Sequence, residues 1–355
     1  MKNQIFILLV GVIFLYCNSK NEVTESTSKP QTTPKTLKET LPFPLGASLS
    51  PTKLFSIAAY RKTVDAEFSS VTAENMMKMH IIHPETNRYN WLRADTIVNV
   101  AKQNKQRVHG HAFVWHESTP NWVKGFQGDA AAWDSLIKSH IQTILSYYKG
   151  KIGSWDVVNE AFNDDGTWRN SVYREKLGDD YVAKCFKWAR EADPSVLLFY
   201  NDFGQESSEK KLQATLDMVA DFKKRGIPID GIGLQMHTHI GISDARITNA
   251  IQKSVETGLK IHISELDVAV NQNNTANFIY TDALKNQQSD KFLHIFKTYR
   301  QIPQAQQFGI TFWNVCDSDS WLRSYFKRPL EYPLLFDDNY DRKPVYDKLV
   351  AEMQK

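Results

Sequence analysis

From residue 42 to the C-terminus, short apolar runs alternate with longer amphipathic stretches. The apolar runs are rich in β-branched and aromatic residues and bounded by Gly, Pro, Asn or Asp. They predict strands near 45–47, 69–73, 107–114, 154–159, 196–201, 231–235, 261–266 and 310–314. Between and after them, apolar residues at three- and four-residue spacing predict helices over 52–61, 94–104, 130–148, 181–192, 208–224, 245–256, 291–301 and 345–353. Stops stand at Asp193-Pro194 and Gly226-Ile-Pro228. Eight strand–helix units in one chain predict an α/β fold, a single (β/α)8 TIM barrel, rather than an open sheet. The Asn- and Gln-rich segment 268–290 is expected to extend over one end of a surface groove.

Two of the strands end in acids. Gly153-Ser-Trp-Asp-Val-Val-Asn-Glu160 closes on an amide beside a carboxylic acid, and Lys260-Ile-His-Ile-Ser-Glu-Leu-Asp267 carries Glu265 and Asp267 two residues apart. Strict alternation puts Asp156, Val158 and Glu160 on one face and Trp155, Val157 and Asn159 on the other, with strand twist left to turn both end residues toward a cleft. A single strand-end acid is more often half of an ion pair than a reactive group. Polar residues at the ends of the other strands shift that balance, because a barrel gathers them on one rim. They are Glu74, Asn75 and Lys78 after the second strand, His111, Trp115 and His116 around the third, and Asn201 and Asp202 after the fifth. Gln235 and His237 follow the sixth, and Trp313 and Trp321 the eighth. Amides, carboxylates and imidazoles bond hydroxyls while indole faces stack on sugar rings, so this collection describes a carbohydrate groove. Two carboxylates on nearly opposite strands suit acid-assisted displacement at a sugar carbon.

Composition narrows the alternatives. With 355 residues, 42% hydrophobic and 12% aromatic, the chain can bury a large core. The formal charge of +3 is partly the work of residues 1–40, which hold five Lys and three Glu, so the remainder is nearly neutral and nucleic acid is not an expected partner. Lys2 followed by an apolar run over residues 5–16 reads as an export signal, too short for a membrane span, and residues 18–41 read as a flexible tether. The domain plan is therefore signal 1–17, linker 18–41 and catalytic barrel 42–355. Cys17 directly after the apolar run resembles a lipoprotein signal, although Tyr16 replaces the usual small residue. Export as a cell-surface or periplasmic lipoprotein, anchored to the membrane by lipid, and simple secretion both stay open. Cys185 and Cys316 show no metal-ligand spacing and read as buried thiols. No phosphate-binding glycine loop or serine-hydrolase elbow stands in the chain; Gly231-Ile-Gly233 lacks the third glycine.

Six stretches in order resemble one family. They are Val71-Thr-Ala-Glu-Asn-Met-Met-Lys78, His109-Gly-His-Ala-Phe-Val-Trp-His116, Trp155-Asp-Val-Val-Asn-Glu160, Gly231-Ile-Gly-Leu-Gln-Met-His237, Ile263-Ser-Glu-Leu-Asp267 and Thr311-Phe-Trp313. From residue 42 onward the chain resembles glycoside hydrolase family ten, the endo-β-1,4-xylanases. The resemblance implies a retaining double displacement with Glu160 as acid/base and Glu265 as nucleophile, supported by His237, Asp267 and Asn159. It assigns Glu74, Asn75, Lys78, His111, Trp115 and Gln235 to sugars on the non-reducing side of the cut, with Trp313 and Trp321 as walls. The implied partner is xylan or a xylo-oligosaccharide, the protein a monomer, with no cofactor. His109 stands where the family usually has Arg, and Asn314 where Gly is common. The His109-Gly-His111 spacing could also serve a metal, but the acids already have places in a metal-free constellation, and none is expected. A non-catalytic polysaccharide-binding barrel and a metal-dependent hydrolase are the competing readings.

Overall fold

A computed structural model describes residues 35–355. The export signal at 1–17 and most of the linker therefore lie outside the described residues. Within them, eight parallel strands form the barrel: β1 (Leu45–Leu49), β2 (Ser70–Ala73), β3 (Arg107–Gly110), β4 (Ser154–Asn159), β5 (Leu197–Asp202), β6 (Gly231–Leu234), β7 (Lys260–Ala269) and β8 (Gln307–Phe312). Neighbours in sequence are neighbours in the sheet, and β8 pairs with both β7 and β1, which closes the ring. Closure leaves no unpaired edge along the sheet.

The three longest helices, Ala130–Tyr148, Glu209–Arg225 and Asp282–Arg300, start where a side chain satisfies a free backbone N–H group. Asp129 caps Ala130–Tyr148 by accepting from the Ala132 N–H at 2.9 Å, a contact worth about 1 kcal/mol. Glu209–Arg225 stops at Gly226, whose φ of 64° lies in the left-handed region where a missing Cβ removes the steric cost.

The ring is filled from its floor. Arg107 lays its guanidinium 3.7 Å from the centre of the Phe308 ring and donates to the Phe308 carbonyl at 2.7 Å. Phe199 packs on Phe308 at 4.5 Å between centroids, and His109 and His262 complete the layer above. On the outer face, Trp155 stacks on Phe113 at 4.3 Å.

Several boundaries differ from the expected ones. The third run breaks after Gly110 and resumes as a two-residue strand, Val114–Trp115, against β4; the peptide bond between His111 and Ala112 is cis. The stretch 52–61 is two helices, Pro51–Ser56 and Ala58–Glu67. Strand β7 runs three residues past the expected end because His237–His239 pairs with Asp267–Ala269 beyond the rim. The last nine residues of the expected loop 268–290 are helical: the helix starts at Asp282, capped by Thr281, and its buried Gln288 donates to the Val268 and Tyr332 carbonyls. That leaves residues 270–281 between strand and helix. Leu37–Thr40, read as linker, forms a short helix with a complete capping box from Thr36 and Glu39. Its Leu37 is fully buried, and its first N–H donates to the Tyr346 hydroxyl of Pro344–Met353.

Candidate active site

Both acid-bearing strands break their alternation just before the acid. Along β4 the register to β5 shifts between Asp156 and Val158. Asp156 therefore points into the barrel, where it meets His109 and His111, and so does Asn159 three residues on. Along β7 the partners Ile310↔Ile263 and Phe312↔Leu266 leave an extra residue, so consecutive Ser264 and Glu265 both reach Asn201. A bulge of this kind re-aims a side chain. It corrects the expectation from strict alternation, which set Asn159 on the face opposite Asp156.

Glu160 sits one residue past β4 with φ of 59°, a left-handed conformation unusual for a residue with a Cβ. Its backbone is held there by the Glu160 N–H to the Asn201 carbonyl at 2.9 Å and by Arg169 Nε on the Glu160 carbonyl at 3.1 Å. Trp115 Nε1 donates to Glu160 Oε2 at 2.8 Å, while Asn159 Nδ2 and Gln235 Nε2 donate to Oε1 at 3.1 and 3.0 Å. Burial raises the proton affinity of this carboxyl, and the negative Asp202 and Glu265 add to it; the Gln235 and Trp115 bonds oppose them and are outweighed.

Glu265 lies across the barrel mouth, 5% exposed. Asn201 Nδ2 donates to its Oε1 at 2.8 Å, and His237 Nε2 to its Oε2 at 3.2 Å. Burial alone would raise its pKa, but the His237 bond, with the charges of His111, His237 and Lys78, holds it below the usual carboxylate value. His237 is itself buried, which disfavours its charge. Asp267, 2.7 Å from Nδ1, outweighs that and lifts the imidazole to about 10, so both ring nitrogens donate at neutral pH. Trp321 Nε1 donates to the same Asp267 oxygen at 2.7 Å.

One chain of amides joins the two acids. Asn201 Nδ2 also donates to Asn159 Oδ1 at 3.0 Å, Gln235 Nε2 reaches that oxygen at 3.2 Å, and Ser264 Oγ donates to Asn201 Oδ1 at 2.6 Å. Asn201 is fully buried, and it fits because β6 carries glycine beside it: a Cβ on Gly233 would stand 2.1 Å from Asn201 Oδ1.

Glu160, Glu265, His237, Asp267, Asn159, Gln235, Trp115 and Trp321 are thus connected by direct hydrogen bonds. Lys78 adjoins them, its ammonium 4.7 Å from the Trp115 ring centre, 5.5 Å from that of Trp313, and 2.9 Å from Asn75 Oδ1. Burial pushes the Lys78 pKa down against the pull of Glu265 and Glu74. His111 stands edge-on to Trp313 at 5.3 Å between centroids and is bonded to Asp156 at 2.9 Å. Glu74, half-buried after β2, makes no side-chain hydrogen bond within the described residues. His109 is not beside the acids; it lies beneath them, 1% exposed, between Ser154 Oγ at 2.8 Å and Asp156 Oδ1 at 3.0 Å. No group of three or more His, Cys, Asp or Glu able to hold a metal is gathered among the described residues. Sequence reasoning put Asn201 and Asp202 on the rim without giving either a role, and left Asp156 and Ser264 out of the site. The available signal for Asn201 was its place at a strand end in an Asn–acid pair, the pattern of Asn159-Glu160.

A buried acid whose proton affinity is raised, facing a buried carboxylate whose proton affinity is lowered, suits giving a proton to one side of a bond while attacking the other. The described chain matches the family model "Glycosyl hydrolase family 10" over residues 35–352. It is similar to endo-beta-1,4-xylanase Xyn10C of Cellvibrio japonicus, 38% identical over 85% of this chain and 55% of that protein. It is also similar to endo-1,4-beta-xylanase B of Thermotoga neapolitana, 35% identical over 81% of each. The chain therefore spans about half the length of the first of these relatives. Among solved structures, a mutant xylanase10C from Cellvibrio japonicus in complex with xylopentaose superposes with a TM-score of 0.85 at 36% identity, over 90% of this chain and 69% of that one. Native xylanase 10B from Thermotoga maritima gives 0.82 at 34% identity, over 89% and 96%.

Proposed function

The chain belongs to glycosyl hydrolase family 10, and from that premise we propose that it is a retaining endo-β-1,4-xylanase cutting internal bonds of xylan. The observation that carries the reading is the pairing of Glu160 and Glu265 through the Asn159–Asn201 amides, with their proton affinities driven in opposite directions.

In the first step Glu160 gives its proton to the glycosidic oxygen as Glu265 attacks the anomeric carbon. The C–O bond breaks, one sugar chain leaves as an alcohol, and a glycosyl ester forms on Glu265. Forming that ester consumes the Glu265 charge, one of the forces holding the proton on Glu160. Glu160 then accepts a proton from water, which attacks the same carbon, breaks the ester and restores both acids with net retention. This chemistry calls for a carboxyl separation of about 5 to 5.5 Å. His237, fixed by Asp267, keeps the nucleophile ionised and oriented, and Asn159 bonds the sugar 2-hydroxyl. Glu74, Asn75, Lys78, His111, Trp115 and Gln235 receive sugars on the non-reducing side, between the Trp313 and Trp321 walls.

Export of a monomeric enzyme, with or without a lipid on Cys17, belongs to the same proposal and rests on the pattern of residues 1–17. Activity on xylan and on an aryl xylobioside tests the reading. If the purified protein leaves both intact, or E160Q and E265Q match the wild type, the assignment fails.

A further inference from the structure

Beyond the candidate cleft, the described residues leave few large apolar side chains in water, and two of them are adjacent. Tyr325 is 66% exposed and Phe326 44%. They continue from Trp321: the Phe326 ring lies 4.9 Å from the Trp321 ring and 5.1 Å from that of Tyr325. Trp321 is itself part of the site, 4.6 Å from the His237 ring and bonded to Asp267. The shelf is held by its backbone, with the Tyr325 N–H on the Trp321 carbonyl at 2.7 Å and the Arg328 N–H on the Leu322 carbonyl at 3.2 Å. Arg323 ties the segment to the Glu331 carbonyl at 2.6 Å. Fixed aromatic faces left in water suit the apolar face of a pyranose ring.

The margin of the shelf is cationic. Lys327 is exposed, and the Arg328 guanidinium lies 4.8 Å from the Phe326 ring centre. Neighbouring Arg323 is paired with Asp338, whereas Lys327 and Arg328 form no ion pair among the described residues. An aromatic platform edged by two uncompensated cations and continuous with a sugar cleft is complementary to a sugar that carries a carboxylate.

We propose that Trp321, Phe326 and Tyr325 extend the cleft outward, and that Lys327 and Arg328 receive the carboxylate of a uronic acid branch on the xylan chain. The inference rests on the xylanase reading and names a substrate class for it, an acid-decorated xylan.

The test compares a uronic-acid-bearing xylo-oligosaccharide with neutral xylohexaose and an aryl xylobioside. K327Q/R328Q is expected to lose about five- to tenfold in kcat/KM on the acidic oligosaccharide, the range of one or two exposed charge-assisted contacts. It should change less than about twofold on the neutral one. Added salt should weaken the wild type on the acidic substrate alone, since exposed charges are screened. Y325A/F326A should lose activity on the acidic oligosaccharide and keep it on the aryl xylobioside, which is too short to reach the shelf. Equal losses on the acidic and neutral oligosaccharides in K327Q/R328Q, or no loss in either double variant, overturn the inference while leaving the xylanase reading standing. A wild type that cleaves neither oligosaccharide overturns both. A concentration-dependent dimer abolished by Y325A/F326A would give the shelf to a second copy and overturn the inference as well.

Discussion

Asn201 donates to Glu265 through the same amide nitrogen that it offers to Asn159, at 2.8 and 3.0 Å. A single buried side chain thus sets the distance between the strand that carries one acid and the strand that carries the other. Gly233 makes room for it. In G233A the new methyl group must displace Asn201, and a shift of about 1 Å at a reacting centre can cost about 100-fold in rate. The expected outcome is a fall in kcat of at least tenfold with a much smaller change in the urea midpoint, and equal proportional losses of both would contradict it.

The two acids should separate kinetically. On an aryl xylobioside with a good leaving group, E160Q keeps a first step that needs little proton donation, so a burst of phenol followed by slow turnover is expected, accelerated by azide. E265Q loses the attacking group and should fall by roughly 10⁴-fold or more with no azide-rescued retaining turnover.

The acidic limb of the rate profile belongs to Glu265, which is active when ionised and is held below its ordinary pKa with His237 as the largest lowering influence. Replacing His237 by Asn removes a positive charge and a donor, so the Glu265 pKa rises and the acidic limb of kcat/KM moves to higher pH. An unmoved limb in H237N would assign it to another group.

Stability should follow pH through the same pair. The folded pKa of His237 lies near 10, above its ordinary 6.5, so its contribution is complete below about pH 6.5 and is lost as pH rises toward 10. Glu265 is depressed, so its contribution is present above its ordinary value of 4.5 and is lost on acidification through the folded pKa. Chemical denaturation across pH should show less alkaline loss in H237N than in the wild type.

Lys211 and Asp202, both without solvent exposure, pair at 3.0 Å under the Glu160 side of the cleft. K211M strands a buried carboxylate, and the expected cost is about 3–5 kcal/mol in urea unfolding. A loss below about 1 kcal/mol would mean that Asp202 finds another partner or takes up a proton.

Much of this could be read before any coordinates. Periods of two and of about 3.6 residues separate strands from helices wherever one face is buried, which is why the 130–148 helix and the 154–159 strand carry the same limits in the structure. The acids Glu160 and Glu265 stand out because a charged group ending an apolar strand is costly without a purpose. Pattern failed where tertiary partners decide. Gln288 sits in a stretch polar enough to read as loop, yet it is buried because two carbonyls from other segments need its amide. Leu37 looks like linker until the Tyr346 hydroxyl is there to meet it. The bulges in β4 and β7 were invisible for a similar reason: register is a property of two strands, and Val157 or Ser264 alone does not announce it. Asn201 was on the expected rim but without a role, because amides end many strands and only the third dimension shows it between two acids.

Strand β8 closes the ring by pairing with β7 on one side and with β1, from the other end of the described chain, on the other. During synthesis β1 and β7 leave the ribosome with open flanks, and neither flank can be sealed until residues 307–312 follow. An intermediate that has formed β7 but not β8 therefore exposes two sticky borders, one of them on the segment bearing Glu265. A chain cut short before that point is thus expected to be not a weaker catalyst but a seed for aggregation.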